Sequence, residues 1–300
     1  CGDKKLYINN YFFQNGKRRN YSLYHFKLSK DVKVMNKFQE YIATLYFVVR
    51  LFICYPKVAY KWFFGHERPR DEKSFEKSSK KGLYVHFNTF HRFKIKPSKT
   101  ITKYIYGNYE NYDYFKDIID ELREDFEINE EMNSQNKKVH EELSTNESVC
   151  VHIRRGDYLD PKWSYLNVCS FEYYQKGINE IERRHPNAKF YIFSNTHEDI
   201  EWIKTNYKFE QRVQYIDLNN KDYEELELMK ACNHFVISNS TFSWWAAVLS
   251  KREGKEVVIP DRWVSDAPIP GINYNEKKEY KGLYLSNWIK IETGKKNEEN

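Results

Sequence analysis

Ser148-Val149-Cys150-Val151-His152-Ile153-Arg154-Arg155-Gly156-Asp157 is the stretch on which the fold turns. Alternation sends Val149, Val151 and Ile153 to one face of a strand and His152 and Arg154 to the other, and Gly156 then breaks the run. Four similar runs follow: Lys189 to Ser194, Val213 to Asp217, His234 to Ser238 and Glu256 to Pro260. Helix-like segments separate them at Phe171 to Arg184, Glu198 to Asn206, Asp222 to Cys232 and Ser243 to Ser250. Strands alternating with helices imply a parallel sheet covered on both faces, so the expected fold class is α/β with a Rossmann-like C-terminal lobe spanning 146–293.

Upstream, Phe115, Ile118, Ile119, Leu122 and Phe126 share one helical face, which predicts a lobe-packing helix over 112–126. Residues 127 to 147 are polar and charged, and the junction with an N-terminal lobe, 1–145, is expected near residue 145. In that lobe, Lys5 to Phe13 reads as a strand, Lys30 to Phe64 as mostly helix interrupted at Pro56, and Glu67 to Gly82 as a charged loop. The Lys/Asn/Glu-rich end, 294–300, reads as a frayed tail.

Composition narrows the function classes. Twenty-five Tyr, 20 Phe and 7 Trp in 300 residues are too much aromatic surface for a disordered chain. The longest apolar stretch, around Tyr41 to Tyr55, contains Arg50 and falls short of the roughly twenty residues that span a bilayer. Charge is unevenly spread: residues 1 to 110 carry 23 Lys and Arg against 8 Asp and Glu, whereas the remainder carries 26 against 35. A basic first part suits a polyanionic or membrane-surface partner, and equally a solvated lysine-rich surface. The apolar, cationic segment Tyr41 to Phe64 is expected either to bind anionic membrane peripherally or to be a buried lobe helix. Five cysteines without a C-x-x-C pair fit buried thiols in a reducing cytoplasm.

The eleven glycines form neither G-x-G-x-x-G nor a P-loop, and there is no Asp-x-Asp to hold a diphosphate through a cation. No metal site is expected, and a bound phosphate would have to rest on arginines and backbone amides. Both are present. Arg154 and Arg155 sit at a strand end, where ligands bind in open parallel sheets, and adjacent guanidiniums can fork onto a diphosphate. The second candidate is Ser238-Asn239-Ser240-Thr241-Phe242-Ser243-Trp244-Trp245, where a strand gives way to a helix whose free N–H groups favour an anion. Asp157 and His152 are the nearest proton acceptors for an attacking hydroxyl, although Asp157 suits the orientation of an arginine as well. Ser194, Asn195 and Asp217 end two further strands and could touch base or sugar. Each signal also has a plain structural account: strand-end ion pairs for the arginines, a satisfied strand histidine, and a helix cap over core tryptophans.

The wording and spacing of Val151-His152-Ile153-Arg154-Arg155-Gly156-Asp157-Tyr158, Tyr191-Ile192-Phe193-Ser194-Asn195 and Leu228 to Ala246 resemble the bacterial α-1,2-fucosyltransferases. The likeness covers roughly Tyr104 to the end, with a fainter echo at Lys5 to Leu28. It implies a two-lobed GT-B-type transferase that is metal-independent, needs no cofactor, and moves L-fucose from GDP-fucose with inversion to a terminal galactose. The acceptor would be a surface glycan, possibly lipid-linked, reached from the cytoplasm or the inner membrane surface. The resemblance also implies that Arg154 and Arg155 bind the donor diphosphate, with Ser194, Asn195, Asn239, Ser240, Thr241 and Ser243 around them. Two departures stand out. No Gly-Gly-x-Gly-Asn-Gln-type loop occurs in residues 1–30, so the N-terminal lobe is expected to lack its first strand and helix. Asn195-Thr196-His197 stands where the family carries acidic residues. The competing classes are an inactive transferase lobe serving as a scaffold and a basic nucleic-acid-binding protein; no nucleic-acid partner is expected, because no recognised module appears.

Overall fold

The structure, a computed structural model, describes residues 5–11, 21–65, 72–87, 92–265 and 282–293; the 294–300 tail lies outside them. The chain divides between Ile118 and Ile119 into two compact units, with Gly282 and Leu283 joining the first. The junction expected near 145 is therefore corrected to 118. The two helices between these points, Ile119–Asp125 and Ser134–Thr145, pack on helices of the second unit. Arg123 Nε–H donates to the Val248 carbonyl (3.4 Å) and Arg252 Nη2–H to the Ser144 carbonyl (3.1 Å). The single helix expected over 112–126 is also divided. Residues Tyr112–Tyr114 and Lys116–Ile118 form 3₁₀ turns, the first capped by Asn111, and only then does an α-helix begin. The residues of the expected apolar face are divided in sequence, Phe115 and Ile118 belonging to the first unit and Ile119, Leu122 and Phe126 to the second, and Ile118 is 48% exposed.

In the first unit β1 (Leu6–Ile8) pairs in parallel with β2 (Val32–Val34). Helix α1 (Lys37–Cys54) starts at Asn36 in a reciprocal capping box: Asn36 Oδ1 accepts from the Gln39 amide (2.9 Å) and Gln39 Oε1 from the Asn36 amide (3.0 Å). It stops at Tyr55, and Pro56 opens α2 (Pro56–Gly65), as its fixed φ favours. Helix α3 (Glu72–Ser79) replaces the expected charged loop, because Phe75 anchors it against Tyr84 and Phe93. β3 (Leu83–His86) pairs in parallel with β4 (Tyr104–Gly107). Phe47, Leu51, Ala59, Leu83, Val85 and Phe87 form the core between these strands and α1–α2.

The second unit contains α4 (Ile119–Asp125), α5 (Ser134–Thr145), β5 (Ser148–His152), α6 (Phe171–Arg184), β6 (Lys189–Phe193), α7 (His197–Asn206), β7 (Val213–Tyr215), α8 (Asp222–Lys230), β8 (His234–Val236), α9 (Thr241–Leu249), β9 (Val257–Pro260) and β10 (Ile289–Ile291). The six strands are all parallel, in the order β10-β9-β8-β5-β6-β7. Numbered within this sheet alone, that order is 6-5-4-1-2-3, the Rossmann arrangement, and the direction of winding reverses between β5 and β8. Val149, Val151 and Ile153 pack under Tyr173, Tyr174 and Ile178 of α6, so the alternation read from the sequence holds. β10 has no counterpart in the sequence reading. It is three residues long and is held at the edge by its pairing with β9 and by the Thr293 amide, which donates to Asp261 Oδ1 (3.0 Å).

At Gly177 α6 lies close against the sheet. A Cβ there would lie 2.7 Å from Val236 Cγ1 and 3.2 Å from Val258 Cγ1, both on rigid central strands. Gly177→Ala is expected to destabilise by about 1–3 kcal/mol through overpacking, an effect larger than the ~1 kcal/mol gained in helix propensity. Urea unfolding should show the loss, and adding Val236→Ala should recover part of it.

Candidate donor site at the sheet reversal

β5 delivers His152 to the carboxyl edge of the sheet beside the end of β8, and His152 Nδ1 lies 3.0 Å from Ser238 Oγ. Both side chains are buried, and Phe242 of α9 packs over the imidazole. Burial, reinforced by the Arg154 charge, lowers the His152 pKa to about 3. His152 is thus a neutral tie between two strand ends. Its surroundings are those of the satisfied strand histidine, the alternative to a proton acceptor.

Arg154 lies above it, firmly held. Nε–H and Nη2–H both donate to Asp157 Oδ1 (3.1 and 2.7 Å). Asn195, with its amide oxygen turned to the guanidinium, accepts from Nε (3.3 Å) and Nη1. The Tyr158 ring lies beside it at 5.5 Å, and the Tyr158 hydroxyl donates to the Asn239 carbonyl (2.9 Å). Three of the five guanidinium N–H groups are thereby committed, leaving one on each terminal nitrogen. Asp157 is here an orienting partner of Arg154.

Arg155 takes a different direction. Its Cζ lies 3.2 Å from the centre of the Trp202 ring, while Nε is 3.6 Å from Asp199 Oδ1, beyond hydrogen-bond reach. That Nε is buried without an acceptor among the described residues, and burial lowers the guanidinium pKa. Asp199 instead accepts from the Gly156 amide (3.2 Å), where φ of +33° lets the chain turn off the strand. Burial raises the Asp199 pKa, and the Gly156 N–H and Arg155 oppose the shift. The two adjacent arginines therefore part, one over Tyr158 and one over Trp202. Asp199 and Trp202 escaped the sequence reading; their available signal was Thr196-His197-Glu198-Asp199, in which Thr196 caps α7 by accepting from the Asp199 amide (3.2 Å).

The second motif divides its labour. Asn239 is buried: its Nδ2 donates to the Leu166 and Trp263 carbonyls (2.7 Å each). Ser243 Oγ–H donates back to the Ser240 carbonyl (3.2 Å), and Ser194 Oγ–H to the Ile153 carbonyl (2.8 Å). These three side chains brace the rim through hydrogen bonds to neighbouring backbone carbonyls. Ser240 precedes α9 without a side-chain capping bond, and half-buried Thr241 begins the helix. No direct hydrogen bond joins Ser240 or Thr241 to either arginine among the described residues; the connection runs through Tyr158 and Asn239. In α8, burial raises the Glu225 carboxyl to about 7, opposed by an Asn220 hydrogen bond and supported by the Asp217 charge.

Two groups of metal-ligand types occur among the described residues. Glu147, His185 and His234 meet at the opposite, amino-terminal edge of the sheet. His234 Nδ1 accepts from the Glu256 amide (3.1 Å), which leaves the proton on Nε2 and removes that nitrogen as a ligand. His197, Glu201 and Asp217 lie by α7, where a 2.7 Å hydrogen bond to Asp217 raises the His197 pKa.

The low pKa of His152 has a consequence for stability. In the unfolded chain the imidazole protonates near 6.5, and in the folded protein near 3. Between those values the unfolded state binds the extra proton, so stability falls as pH drops, by up to about 1.4 kcal/mol per pH unit. Urea unfolding at pH 7, 6, 5 and 4 should show a shallower decline for His152→Asn than for the parent. An unchanged slope would mean that His152 is not buried as a neutral group.

Residues 10–292 match the family model described as Glycosyl transferase family 11. An α-1,2-colitosyltransferase of Escherichia coli is 33% identical over 165 residues, 52% of this chain and 54% of that protein. The O-antigen biosynthesis glycosyltransferase WbnK, also of E. coli, is 32% identical over 199 residues, 60% of each chain. Human galactoside α-(1,2)-fucosyltransferase 1 is 22% identical over 191 residues, 59% of this chain and 49% of that one. These alignments span about half to three fifths of the relatives' lengths. The motif resemblance holds at the level of the family: the chain belongs to glycosyl transferase family 11.

Proposed function

We propose that the protein is a two-lobed, GT-B-type transferase that moves L-fucose from GDP-fucose in α-1,2 linkage to a terminal galactose of a surface glycan, with inversion and without a metal. The observation that carries this reading is the convergence of the Arg154 cluster and the α9 N-terminus where the strand order reverses. A departing nucleoside diphosphate gains negative charge as the glycosidic bond breaks. Arg154, already oriented by Asp157 and Asn195, would meet that charge with its remaining N–H groups, and the first turn of α9 would add unpaired amides from Thr241 onward. Arg155 would act from beside Trp202, with Asp199 holding the Gly156 turn in place. Inversion requires the galactose hydroxyl to attack the sugar carbon from the face opposite the diphosphate. The names of the fucosyl and colitosyl relatives support an α-1,2 linkage. A lipid-linked acceptor at the cytoplasmic membrane surface completes the proposal. The 33% identity to a colitosyltransferase favours a second reading, with activated colitose as donor and the same diphosphate site.

A transfer and donor-hydrolysis assay across GDP- and UDP-sugars and activated colitose separates these readings from an inactive scaffold. Arg154→Ala and Arg155→Ala are each expected to lower turnover on the order of 10²–10³, with thermal midpoints close to the parent's. Lysine should rescue only in part, since it cannot reproduce the fork onto Asp157 or the stacking on Trp202. Ser240→Ala and Thr241→Ala should cost less because the backbone amides remain. Stably folded arginine variants with parental turnover and GDP affinity would refute the donor site.

Transfer is also expected to continue in excess EDTA. Activity lost to chelator and restored by Mg²⁺ or Mn²⁺ would show that the diphosphate is held through a cation.

A further inference from the structure

Helix α1 is built the wrong way round for a helix of a water-soluble unit. Phe38, Ile42, Leu45, Val49 and Ile53 recur at intervals of three and four along one side, and all are exposed, Phe38 by 74% and Ile53 by 75%. The opposite, buried stripe is Glu40, Thr44, Phe47 and Leu51, half of it polar. Those polar groups are satisfied inside: Glu40 Oε1 accepts from the Asn10 amide (3.0 Å) and Thr44 Oγ1 from Asn9 Nδ2 (2.9 Å). These bonds and the packing of Phe47 and Leu51 fix the orientation, and the more apolar side faces outward. Tyr60 and Phe64 of α2, 64% and 66% exposed, continue the surface. An exposed run of this kind marks a surface that something covers.

Charge identifies the cover. Residues 32–65 contain one carboxylate, Glu40, and it is buried, whereas Lys33, Lys37, Lys57 and Lys61 are exposed. Arg50 is turned in, donating to the carbonyls of Lys81 and Thr102. An apolar stripe in a stretch, residues 32–65, whose exposed charges are all cations, in the part of the chain with 23 basic against 8 acidic residues, complements an anionic lipid surface. A symmetric pairing of two copies through the same face would bring the two sets of lysines together. No helix among the described residues is long and apolar enough to cross a membrane, so α1 would have to lie in the plane of the interface.

We propose that the outer face of α1, continued onto α2, is a docking surface for anionic lipid bilayers, with the aliphatic and aromatic side chains in the acyl boundary and the lysines among the headgroups. The test is flotation of the full 300-residue chain with phosphatidylglycerol-containing and with pure phosphatidylcholine vesicles, at low and high salt, without sugar nucleotide. Recovery with the anionic vesicles at low salt is expected, weakened by salt as headgroup attraction is screened. Ile42→Ser combined with Ile53→Ser should reduce it about tenfold, and so should the single change Ile53→Asp. Both substitutions are on exposed positions, and melting midpoints should stay near the parent's. Equal recovery with neutral and anionic vesicles, no flotation at all, or undiminished flotation of the variants would overturn the proposal. So would a parental dimer in sedimentation that Ile53→Asp dissociates while no lipid is bound, since the face would then belong to a second copy. None of these readouts involves transfer, so the donor-site reading stands or falls separately.

Discussion

A parallel sheet that winds outward in both directions from its first strand must leave a gap where the directions part, because the loops after the two central strands diverge over opposite faces. In this protein the gap lies between β5 and β8. The His152–Ser238 contact closes its floor, and the buried imidazole stays uncharged because a proton there would face both desolvation and Arg154. Everything above that floor is arranged around charge. Asp157 and Asn195 fix Arg154, Tyr158 connects it to the backbone of Asn239, and α9 begins beside them. The sheet reversal supplies the place, and the polar side chains at the ends of three neighbouring strands, β6, β5 and β8, supply its rigidity.

That division of labour explains why so many motif residues turn inward. Asn239, Ser243 and Ser194 use their side chains on neighbouring carbonyls. A buried amide or hydroxyl left without such a partner would be costly, so the short polar residues are as necessary to the shape of the rim as any ligand contact. A motif can therefore be uniform in wording and divided in role, with a few side chains facing the crevice and the rest holding them there.

The second unit is readable in the sequence because its central strands are buried on both faces and its strands are punctuated by polar turns, and five of the six are placed correctly. β10 was not legible: Ile289-Lys290-Ile291 is too short to show a period, and its identity as a strand depends on an edge supplied by β9. The boundary between units was misplaced for a related reason. Composition changes around residue 127, but the decisive contacts of α4 and α5 are with helices more than 80 residues later, and composition carries no record of them. Within the site, pairing Arg154 with Asp157 three residues on was foreseeable from local spacing. The divergence of Arg155 toward Trp202 was not, since it depends on where α7 packs. The inverted character of α1 was hidden for the opposite reason: the helix is apolar nearly all round, and the packing of Phe47 and Leu51 together with the bonds of Thr44 and Glu40 to Asn9 and Asn10 decides which side faces in.

The edge strand also has a bearing on how the protein comes into being. β5 to β9 follow one another within 113 residues, from Ser148 to Pro260, whereas β10 begins 29 residues after β9 ends. During synthesis the backbone of β9 therefore emerges with an unpaired, wholly apolar edge, Val257-Val258-Ile259, and keeps it until Ile289–Ile291 has been made. An open apolar edge is a template for pairing with another chain. The interval between the two strands is thus the window in which a nascent chain of this fold is most exposed to association with its neighbours, and a slow passage through it would favour aggregates over the finished sheet.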